Sequence, residues 1–324
     1  MSEEAAAASA GVQAPPVIAV VGSTATGKSA ISLALAEALD GEIVNADAMQ
    51  FYRGMDIGTA KLTVAERRGI AHHQLDTLAV TEDASVARFQ REARADITAI
   101  QARGHTPIVV GGSGLYHRAL LDRFEFPPTD PRVRARLEER GDVEGPGILY
   151  RELLKADPDA AASIGPSNTK RLVRALEVIE ITGRPFSSGL PRHEYEVPAI
   201  QIGLELAHDI LDPRIEARVD AMWAGGLVEE TRGLVERGLR EGTTARRAVG
   251  YAETLRHLDG ELDAAEARAL IAQHTRRLAR KQRQWFRPDP RVTWIAAPVD
   301  HHDVARAAAD ALAVVERGAG SLGA

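Results

Sequence analysis

The sequence predicts an α/β protein that has a doubly wound parallel sheet and an inserted all-helical subdomain. Short runs of Val and Ile alternate along the chain with segments of helical periodicity, and this order is typical of parallel strands joined by helices. A middle segment rich in Pro, Gly and charged residues interrupts the alternation and contains no convincing strand. The chain has 324 residues, and domains of roughly 150 residues are usual, so about two domains are expected.

The predicted elements begin after an N-terminal tail at residues 1–16, which we expect to be disordered. An all-apolar run at 17–21 predicts a strand that is buried on both faces. In the helix that follows, Ile31, Leu35 and Leu39 form one apolar face. The remaining predicted elements are strands at 42–46, 107–110, 200–206 and 291–295 and helices at 84–101 and 304–317.

A change of sequence character divides the chain into domains. After Leu121, prolines and glycines bracket a short charged helix. The alternation that is typical of a strand returns at about residue 200, where the chain re-enters the sheet. We therefore expect a core domain at 17–122 and 199–324 and a helical insertion at 123–198.

The composition excludes several kinds of chemistry. The chain contains no Cys, so disulfides, iron–sulfur clusters, Cys-ligated zinc and thiol nucleophiles are excluded. The N-terminal residues lack the basic and apolar regions of a secretory signal, and no window approaches the roughly 18 consecutive apolar residues of a membrane span. We therefore expect a cytoplasmic protein that does not bind membranes, and we expect it to be a monomer.

A glycine-rich loop joins the first predicted strand to the first predicted helix. It reads GSTATGKS and matches the pattern G-x-x-x-x-G-K-[ST]. In this pattern the glycines let backbone N–H groups converge on phosphate oxygens, the lysine neutralises charge and the last hydroxyl binds a divalent ion. The sequence therefore predicts a P-loop, and the predicted phosphate-binding residues are Gly22, Ser23, Thr24, Ala25, Thr26, Gly27, Lys28 and Ser29.

An acidic residue follows the second predicted strand. Motors and GTPases usually hold magnesium with an Asp after a later strand, but the strand at 107–110 is followed by Ser113 and by no carboxylate. Asp47 follows the strand at 42–46 instead, and strand C-termini share one edge of a parallel sheet with the phosphate loop. Asp47 could accept a proton there from a nucleophile, or it could merely cap the next turn. Two activities remain open: a small-molecule kinase that binds ATP, and an alkyl transferase whose diphosphate leaving group binds the loop.

The C-terminal part carries a basic patch in an acidic chain. The whole chain has 40 Lys and Arg against 46 Asp and Glu, yet residues 268–291 contain eight basic residues and one acidic residue. Arg276, Arg280, Arg283 and Arg287 recur at helical spacing and form one stripe. Such a stripe suits contact with a phosphate backbone, although the same pattern also occurs on solvated surfaces.

Several longer motifs resemble the tRNA dimethylallyltransferase family, also called the IPP transferase family. NADAMQFYRGMDIGTAK at 45–61 is similar to the family signature that follows the second strand. The resemblance implies transfer of the dimethylallyl group of dimethylallyl diphosphate to the exocyclic N6 of the adenosine 3′ of the tRNA anticodon, with release of diphosphate. Further similar segments follow in family order and extend the resemblance over about residues 17–295: VGGSGLYHRALLD, DPRVRARLE, NTKRLVRALEVIEITGRP, RIEARVDAMWAGGLVEE, AVGYAE and RRLARKQRQWFR.

The resemblance also implies roles for individual residues. Asp47 would take the proton from the adenine amine, while Lys28 and Arg218 would stabilise the departing diphosphate. Ser29 would bind Mg²⁺ as the cofactor, and the partners would be the tRNA anticodon stem–loop and dimethylallyl diphosphate. The tRNA-binding positions would be Asp47, Ala48, Met49, Gln50, Ser113, Arg134, Lys170, Arg171, Leu172, Val173, Arg174, Arg247, Gly250, Tyr251, Arg280 and Arg283.

Two of these positions differ from the usual family pattern. Ser113 stands where the family usually carries Thr, which keeps the hydroxyl. Ala48 stands where the family usually carries Ser, so a hydroxyl next to Asp47 is missing. Met49, Met55 and Met222 suit core packing, although Met49 also neighbours Asp47 and could line an apolar pocket for the prenyl group.

Three alternative functions stay open beside tRNA prenylation. One is the P-loop small-molecule kinase, and another is an adenylate isopentenyltransferase that acts on a free nucleotide. The third is a non-enzymatic, RNA-binding nucleotide switch, against which the lack of a carboxylate after the strand at 107–110 counts. The insertion and the basic C-terminal helix favour a polymer as acceptor over a free nucleotide.

Overall fold

Six parallel strands form the central sheet of the protein, among the residues that the computed structural model describes, 14–123, 126–189 and 193–322. Across the sheet their order is β3-β2-β4-β1-β5-β6, and every neighbouring pair is parallel. This confirms the predicted P-loop α/β fold. The strands are β1 (Val17–Gly22), β2 (Gly41–Asn45), β3 (His72–His73), β4 (Thr106–Val110), β5 (Ala199–Glu205) and β6 (Val292–Ala296).

Twelve α-helices are formed by these described residues, and none of the twelve is both long and apolar enough to cross a membrane. In chain order they are α1 (Lys28–Ala38), α2 (Val86–Ala102), α3 (Gly114–Leu121), α4 (Pro131–Glu144), α5 (Pro146–Ala156), α6 (Pro158–Ile164), α7 (Thr169–Thr182), α8 (His208–Ala224), α9 (Leu227–Val235), α10 (Tyr251–Leu258), α11 (Ala264–Phe286) and α12 (Val304–Leu322).

The strand β1 lies between β4 and β5 and is buried on both faces. Residues 17–21 have no exposed surface, and Ile18 pairs in register with Ile108 of β4 and Ile200 of β5. Helices α1 and α12 pack on one face of the sheet, and α2 and α11 pack on the other. The continuous apolar run at 17–21 follows from this arrangement, because helices cover both faces of a parallel sheet.

The strand β3 was not predicted, because it contains two residues only. His72 and His73 pair with Ile43 and Val44 of β2, and His73 Nε2 lies 2.7 Å from Glu42 Oε2. Two adjacent histidines lack the Val- and Ile-rich run that predicts a strand. The strand that was predicted to be third, at 107–110, is therefore the fourth in the chain.

The described residues divide into two compact units, the smaller of which is Asp122–Glu194. Residues 195–198, predicted to belong to the insertion, lie in the larger unit, where the N–H groups of Glu196 and Val197 donate to Leu121 O. The smaller unit contains α4 to α7 and has no strand among its described residues. Its core includes Leu137, Leu149, Leu153, Leu172 and Val173.

The structure describes part of the predicted N-terminal tail. Residues 1–13 lie outside the described part of the chain. Residues 14–16 are described, and the carbonyl oxygen of Pro15 accepts a hydrogen bond of 2.6 Å from Gln101 Nε2 at the end of α2. This contact corrects the prediction of disorder for residues 14–16.

Candidate active site

The loop between β1 and α1 has the backbone geometry of a phosphate cradle. Gly22 has φ 142° and Gly27 has φ 87°, which side-chain-bearing residues rarely adopt. A Cβ atom on Gly22 would lie 2.8 Å from Leu204 O, and one on Gly27 would lie 2.9 Å from Pro298 Cγ. The two invariant glycines of the motif are therefore required here by both conformation and space.

Hydrogen bonds hold the loop in this shape. The carbonyl oxygen of Ser23 accepts from Lys28 Nζ at 2.6 Å and from Thr26 Oγ1 at 2.8 Å. Ser23 Oγ donates to the carbonyl oxygen of Ala279 on α11 at 2.9 Å. The loop is thus tied both to itself and to a helix that is more than 250 residues later in the sequence, which leaves its central N–H groups fixed before an anion binds.

Lys28 is held in a poorly hydrated position. Burial lowers the pKa of its ammonium to about 8, because a charged amine loses hydration there. The carboxylate of Asp47 partly opposes this shift, and the nearby guanidinium of Arg218 adds to it. An incoming phosphate would relieve the mutual repulsion of the two cations, so both side chains are suited to bind an anion.

A first cavity, of about 370 Å³, lies directly against this loop. We call it the phosphate cavity. Besides the loop, its lining includes Asn45, Asp47, Thr59, Arg214 and Arg218. The cavity therefore combines backbone N–H donors, a lysine and two arginines around a single carboxylate, which is an arrangement for a multiply charged anion beside one general base.

Asp47 is fixed by its immediate neighbours. Its backbone N–H donates to Asn45 Oδ1 at 3.0 Å, and its carboxylate Oδ1 accepts from the N–H of Met49 at 3.1 Å, which caps a short 3₁₀ helix at Ala48–Phe51. Ala48 packs into the apolar core. The hydroxyl that is missing at Ala48 is thus replaced by a buried methyl group, while Asp47 remains anchored by the Asn45 side chain and the Met49 N–H.

The segment after Asp47 is fixed by Glu230, which sequence reasoning did not single out. The carboxylate of Glu230, on α9, accepts from the backbone N–H groups of Asp56, Ile57 and Gly58 at 3.1, 2.8 and 3.2 Å. It also accepts from the hydroxyl of Tyr251 at 2.6 Å. The three backbone bonds hold the loop whose next residue, Thr59, lines the phosphate cavity, and the bond from Tyr251 fixes Glu230 itself.

A second cavity, of about 260 Å³, adjoins the first. We call it the acceptor cavity. The two cavities share four lining residues, Thr24, Asp47, Thr59 and Arg218. Ser113 and Gln282 add polar groups, and the apolar part of the lining is Ala48, Met49, Ile215, Val219, Met222, Ala248, Val249, Ile271 and Leu278. Met49 and Met222 were both expected to pack in the core, and both line this cavity; for Met49 this agrees with the alternative of an apolar pocket.

The basic stripe of α11 is largely paired with acids. Arg276 contacts Glu216 at 2.7 Å, and Arg283 and Arg287 contact Glu205 at 2.7 and 3.2 Å. Arg280 is exposed and has no ion-pair partner among the described residues. Of these four arginines, Arg280 is therefore the one whose charge is not already neutralised by a carboxylate.

The tRNA-binding residues predicted in the smaller unit divide into exposed and buried groups. Leu172 and Val173 are 0% and 2% exposed, so their side chains lie in the core, and a tRNA contact at these two positions would have to use backbone groups. Arg134 and Arg174 each lie 2.8 Å from the buried carboxylate of Glu177. Lys170 and Arg171 begin α7 and have no ion-pair partner within the described residues 126–189.

The other predicted tRNA contacts belong to the larger unit. Gly250 and Ser113 line the acceptor cavity, and Gln50 lines the phosphate cavity. Tyr251 is fully buried and its hydroxyl donates to Glu230, so its side chain helps to hold Glu230, and its assignment as a tRNA contact stays a prediction. Arg247 is exposed in a 3₁₀ turn at Ala245–Arg247.

The glycine-rich loop and its lysine lie between a buried strand and a helix, at the C-terminal edge of a parallel sheet. This arrangement places the chain in the class of P-loop α/β proteins. Within that class, the family model described as IPP transferase matches residues 50–289. The chain belongs to the IPP transferase family.

Curated relatives resemble nearly the whole chain. It is 59% identical over 281 residues to the tRNA dimethylallyltransferase of Nocardioides sp., which covers 86% of this chain and 91% of that relative. It is 56% identical over 307 residues to the tRNA dimethylallyltransferase of Kineococcus radiotolerans, which covers 92% of this chain and 97% of that relative.

Two solved structures share the fold. The full-length tRNA isopentenylpyrophosphate transferase from Bacillus halodurans is 37% identical, with a TM-score of 0.69, and the match covers 95% of this chain and 99% of that one. A eukaryotic dimethylallyltransferase, described as acting on tRNA, is 28% identical, with a TM-score of 0.77 over 87% of this chain and 74% of that one.

Proposed function

We infer that this protein is a prenyltransferase that moves a dimethylallyl group from dimethylallyl diphosphate to tRNA. The observation that carries this function is the junction of the two cavities at Thr24, Asp47, Thr59 and Arg218. A charged cavity that suits a diphosphate opens there onto a partly apolar cavity that suits a hydrocarbon group and a base. The membership of the family and the names of the relatives support the same activity.

In the proposed reaction, the exocyclic N6 of the adenosine 3′ of the anticodon attacks the carbon that bears the diphosphate. The new C–N bond forms as the C–O bond breaks, and the diphosphate leaves with the electron pair. Asp47 accepts the proton that N6 loses. Lys28, Arg218 and the loop N–H groups stabilise the negative charge that grows on the leaving oxygen. The adenosine must leave the base stack of the anticodon loop to enter the acceptor cavity, at a cost of a few kcal/mol.

We propose Mg²⁺ as the cofactor, and the residues present fit it. Ser29 places a hydroxyl in the phosphate cavity, and Mg²⁺ commonly takes one or two protein oxygens while substrate phosphates and water supply the other ligands. Ser29 would hold the ion together with diphosphate oxygens. When bound, Mg²⁺ neutralises part of the charge on the diphosphate. We also propose that the protein is a monomer that works in the cytoplasm.

The direct test is incubation of the protein with Mg²⁺, dimethylallyl diphosphate and unmodified tRNA, followed by mass spectrometry of the nucleosides. We expect isopentenyl adenosine from tRNA and none when AMP replaces tRNA. A small-molecule kinase, which the comparisons do not favour, would instead consume ATP and ignore the prenyl donor. Prenylation of AMP at the rate of tRNA would identify a free-nucleotide enzyme.

The low pKa of Lys28 predicts a pH-dependent affinity for diphosphate. The ammonium is charged below a pH of about 8 and loses its proton above it, so its contribution to binding is present at neutral pH and declines as the pH rises. Relative to Lys28→Met, the advantage of the wild type should shrink about tenfold per pH unit above about 8. Calorimetric titration of diphosphate from pH 7 to 9.5 measures this ratio. A constant ratio over that range would show that the lysine charge does not contribute.

The difference between Arg280 and Arg283 predicts different salt effects on tRNA binding. Replacing Arg280 by Gln should weaken binding and reduce the slope of log K against log salt by roughly 0.7 to 0.9, because one fewer counterion is released. Arg283→Gln should change the slope less, since Arg283 must first leave Glu205. Filter binding at several salt concentrations compares the two. Equal slopes for wild type and Arg280→Gln would remove Arg280 from the interface.

A further inference from the structure

Gln282 connects the phosphate loop with the acceptor cavity, and the reaction proposed above does not use it. It lies on α11 and is 9% exposed. Its Oε1 accepts a hydrogen bond of 2.7 Å from the backbone N–H of Thr24. It also lines the acceptor cavity together with Asp47 and Ser113. A buried amide thus reaches from the diphosphate cradle into the space that suits a base.

The bond to Thr24 determines which end of the amide faces away from the loop. A backbone N–H can only donate, so the amide oxygen must point toward Thr24 and the NH₂ group must point elsewhere. The NH₂ group lies against Gly112, where a Cβ atom would come within 2.1 Å of Nε2. Gly112 therefore leaves the space that this amide orientation requires.

The NH₂ group is a donor without a protein acceptor. Nε2 of Gln282 makes no hydrogen bond to any residue in the described parts of the chain. Because Gln282 lines the acceptor cavity, this donor is available to an acceptor on a ligand that binds there. The carboxylate of Asp47 lines the same cavity and, when ionised, can only accept hydrogen bonds.

We propose that Gln282 determines specificity for the acceptor base by donating a hydrogen bond from Nε2 to a ring nitrogen of adenine. This proposal rests on the proposed function. Adenine presents its amine between two unprotonated ring nitrogens, N1 and N7, so a base that fits Asp47 through its amine offers an acceptor beside it. Guanine carries a carbonyl oxygen in place of that amine and would face Asp47 with an acceptor.

The test uses anticodon stem–loops that carry 1-deazaadenosine or 7-deazaadenosine at the modified position. With wild-type protein, one of the two analogues should lower kcat/KM roughly 3- to 10-fold, the effect of one neutral hydrogen bond. Gln282→Leu should lower kcat/KM on the adenosine stem–loop by a similar factor. The same variant should lose nothing further with that analogue, because the bond is already absent.

Controls separate this role from packing and from the phosphate loop. Gln273→Leu makes the same change at an exposed position of the same helix and should leave the penalty of the analogue intact. The KM for dimethylallyl diphosphate reports separately on the bond between Gln282 and Thr24. Wild-type protein that prenylates both deaza analogues as well as adenosine would overturn the proposal without any variant. Absence of product with the adenosine stem–loop would instead contradict the proposed function itself.

Discussion

Replacing Asp47 by Asn should lower kcat by about 100- to 10,000-fold, which is the contribution of a positioned general base. An amide cannot accept the proton that N6 must lose. The side chain keeps an oxygen that can accept from the N–H of Met49, the bond that caps the short helix at Ala48–Phe51. The fold and the affinity for tRNA should therefore be retained. Single-turnover prenylation with saturating tRNA measures the chemical step.

A matched control for this variant is Asp310→Asn, which makes the same change at an exposed position of α12. It should turn over at the wild-type rate. Asp47→Asn protein that reacts within about threefold of the control would assign the proton acceptor to another group or to water. A large loss of tRNA affinity with an unchanged rate would make Asp47 a binding residue instead of the base.

Replacing Arg218 by Gln should lower kcat by roughly 100- to 1,000-fold, the usual effect of removing one donor that faces developing negative charge. Arg218 lines both cavities, so in the proposed reaction its guanidinium would face the breaking C–O bond. Burial lowers the pKa of this guanidinium, and the carboxylate of Asp47 opposes that shift. Because charge on the leaving oxygen is greatest in the transition state, kcat should fall more than the affinity for the donor.

Two further variants make the result for Arg218 specific. Arg218→Lys keeps the charge but loses the planar, forked donor set, so its rate should lie between those of wild type and Arg218→Gln. Arg232→Gln removes an exposed arginine of α9 and should behave as wild type. Equal losses in kcat/KM and in donor affinity, with kcat unchanged, would limit Arg218 to ground-state binding.

The sequence was sufficient to predict the parts of the site that depend on local patterns. The spacing of Gly22, Gly27, Lys28 and Ser29 predicts the cradle, because the conformation of a P-loop depends on its own residues. Asp47 was found because residues that follow parallel strands meet at one edge of the sheet. Both inferences require only the order of strands and the identity of the residues that follow them.

The contacts that hold the site could not be predicted in this way. Gln282 and Thr24 are 258 positions apart, and Glu230 and Ile57 are 173 apart. These pairs join a side chain to a backbone group, which leaves no pattern of spacing or periodicity in one sequence. For the same reason the arginines of α11 were interpreted as a basic stripe. In the structure, Arg283 and Arg287 pair with Glu205. Gln282, on the same helix, lines the acceptor cavity.

The smaller unit also contains contacts that could not be predicted from the sequence. The resemblance assigned the whole segment 170–174 to tRNA binding, yet the helical repeat of α7 turns Leu172 and Val173 into the core. Arg174 could be paired with Glu177 from sequence, because residues three apart are neighbours on a helix. The pairing of Arg134 with Glu177 could not be predicted, because Arg134 reaches this carboxylate from α4.

The central claim is that one carboxylate deprotonates an RNA amine beside a bound diphosphate. The most direct measurement is a crystal structure of the protein with Mg²⁺, an anticodon stem–loop and a non-hydrolysable analogue of dimethylallyl diphosphate. We expect the diphosphate on the loop that ends in Lys28 and Ser29, and the adenine N6 within roughly 2.6 to 3.2 Å of the Asp47 carboxylate or one water away. A diphosphate bound elsewhere, or an N6 beyond the reach of one bridging water, would contradict the claim.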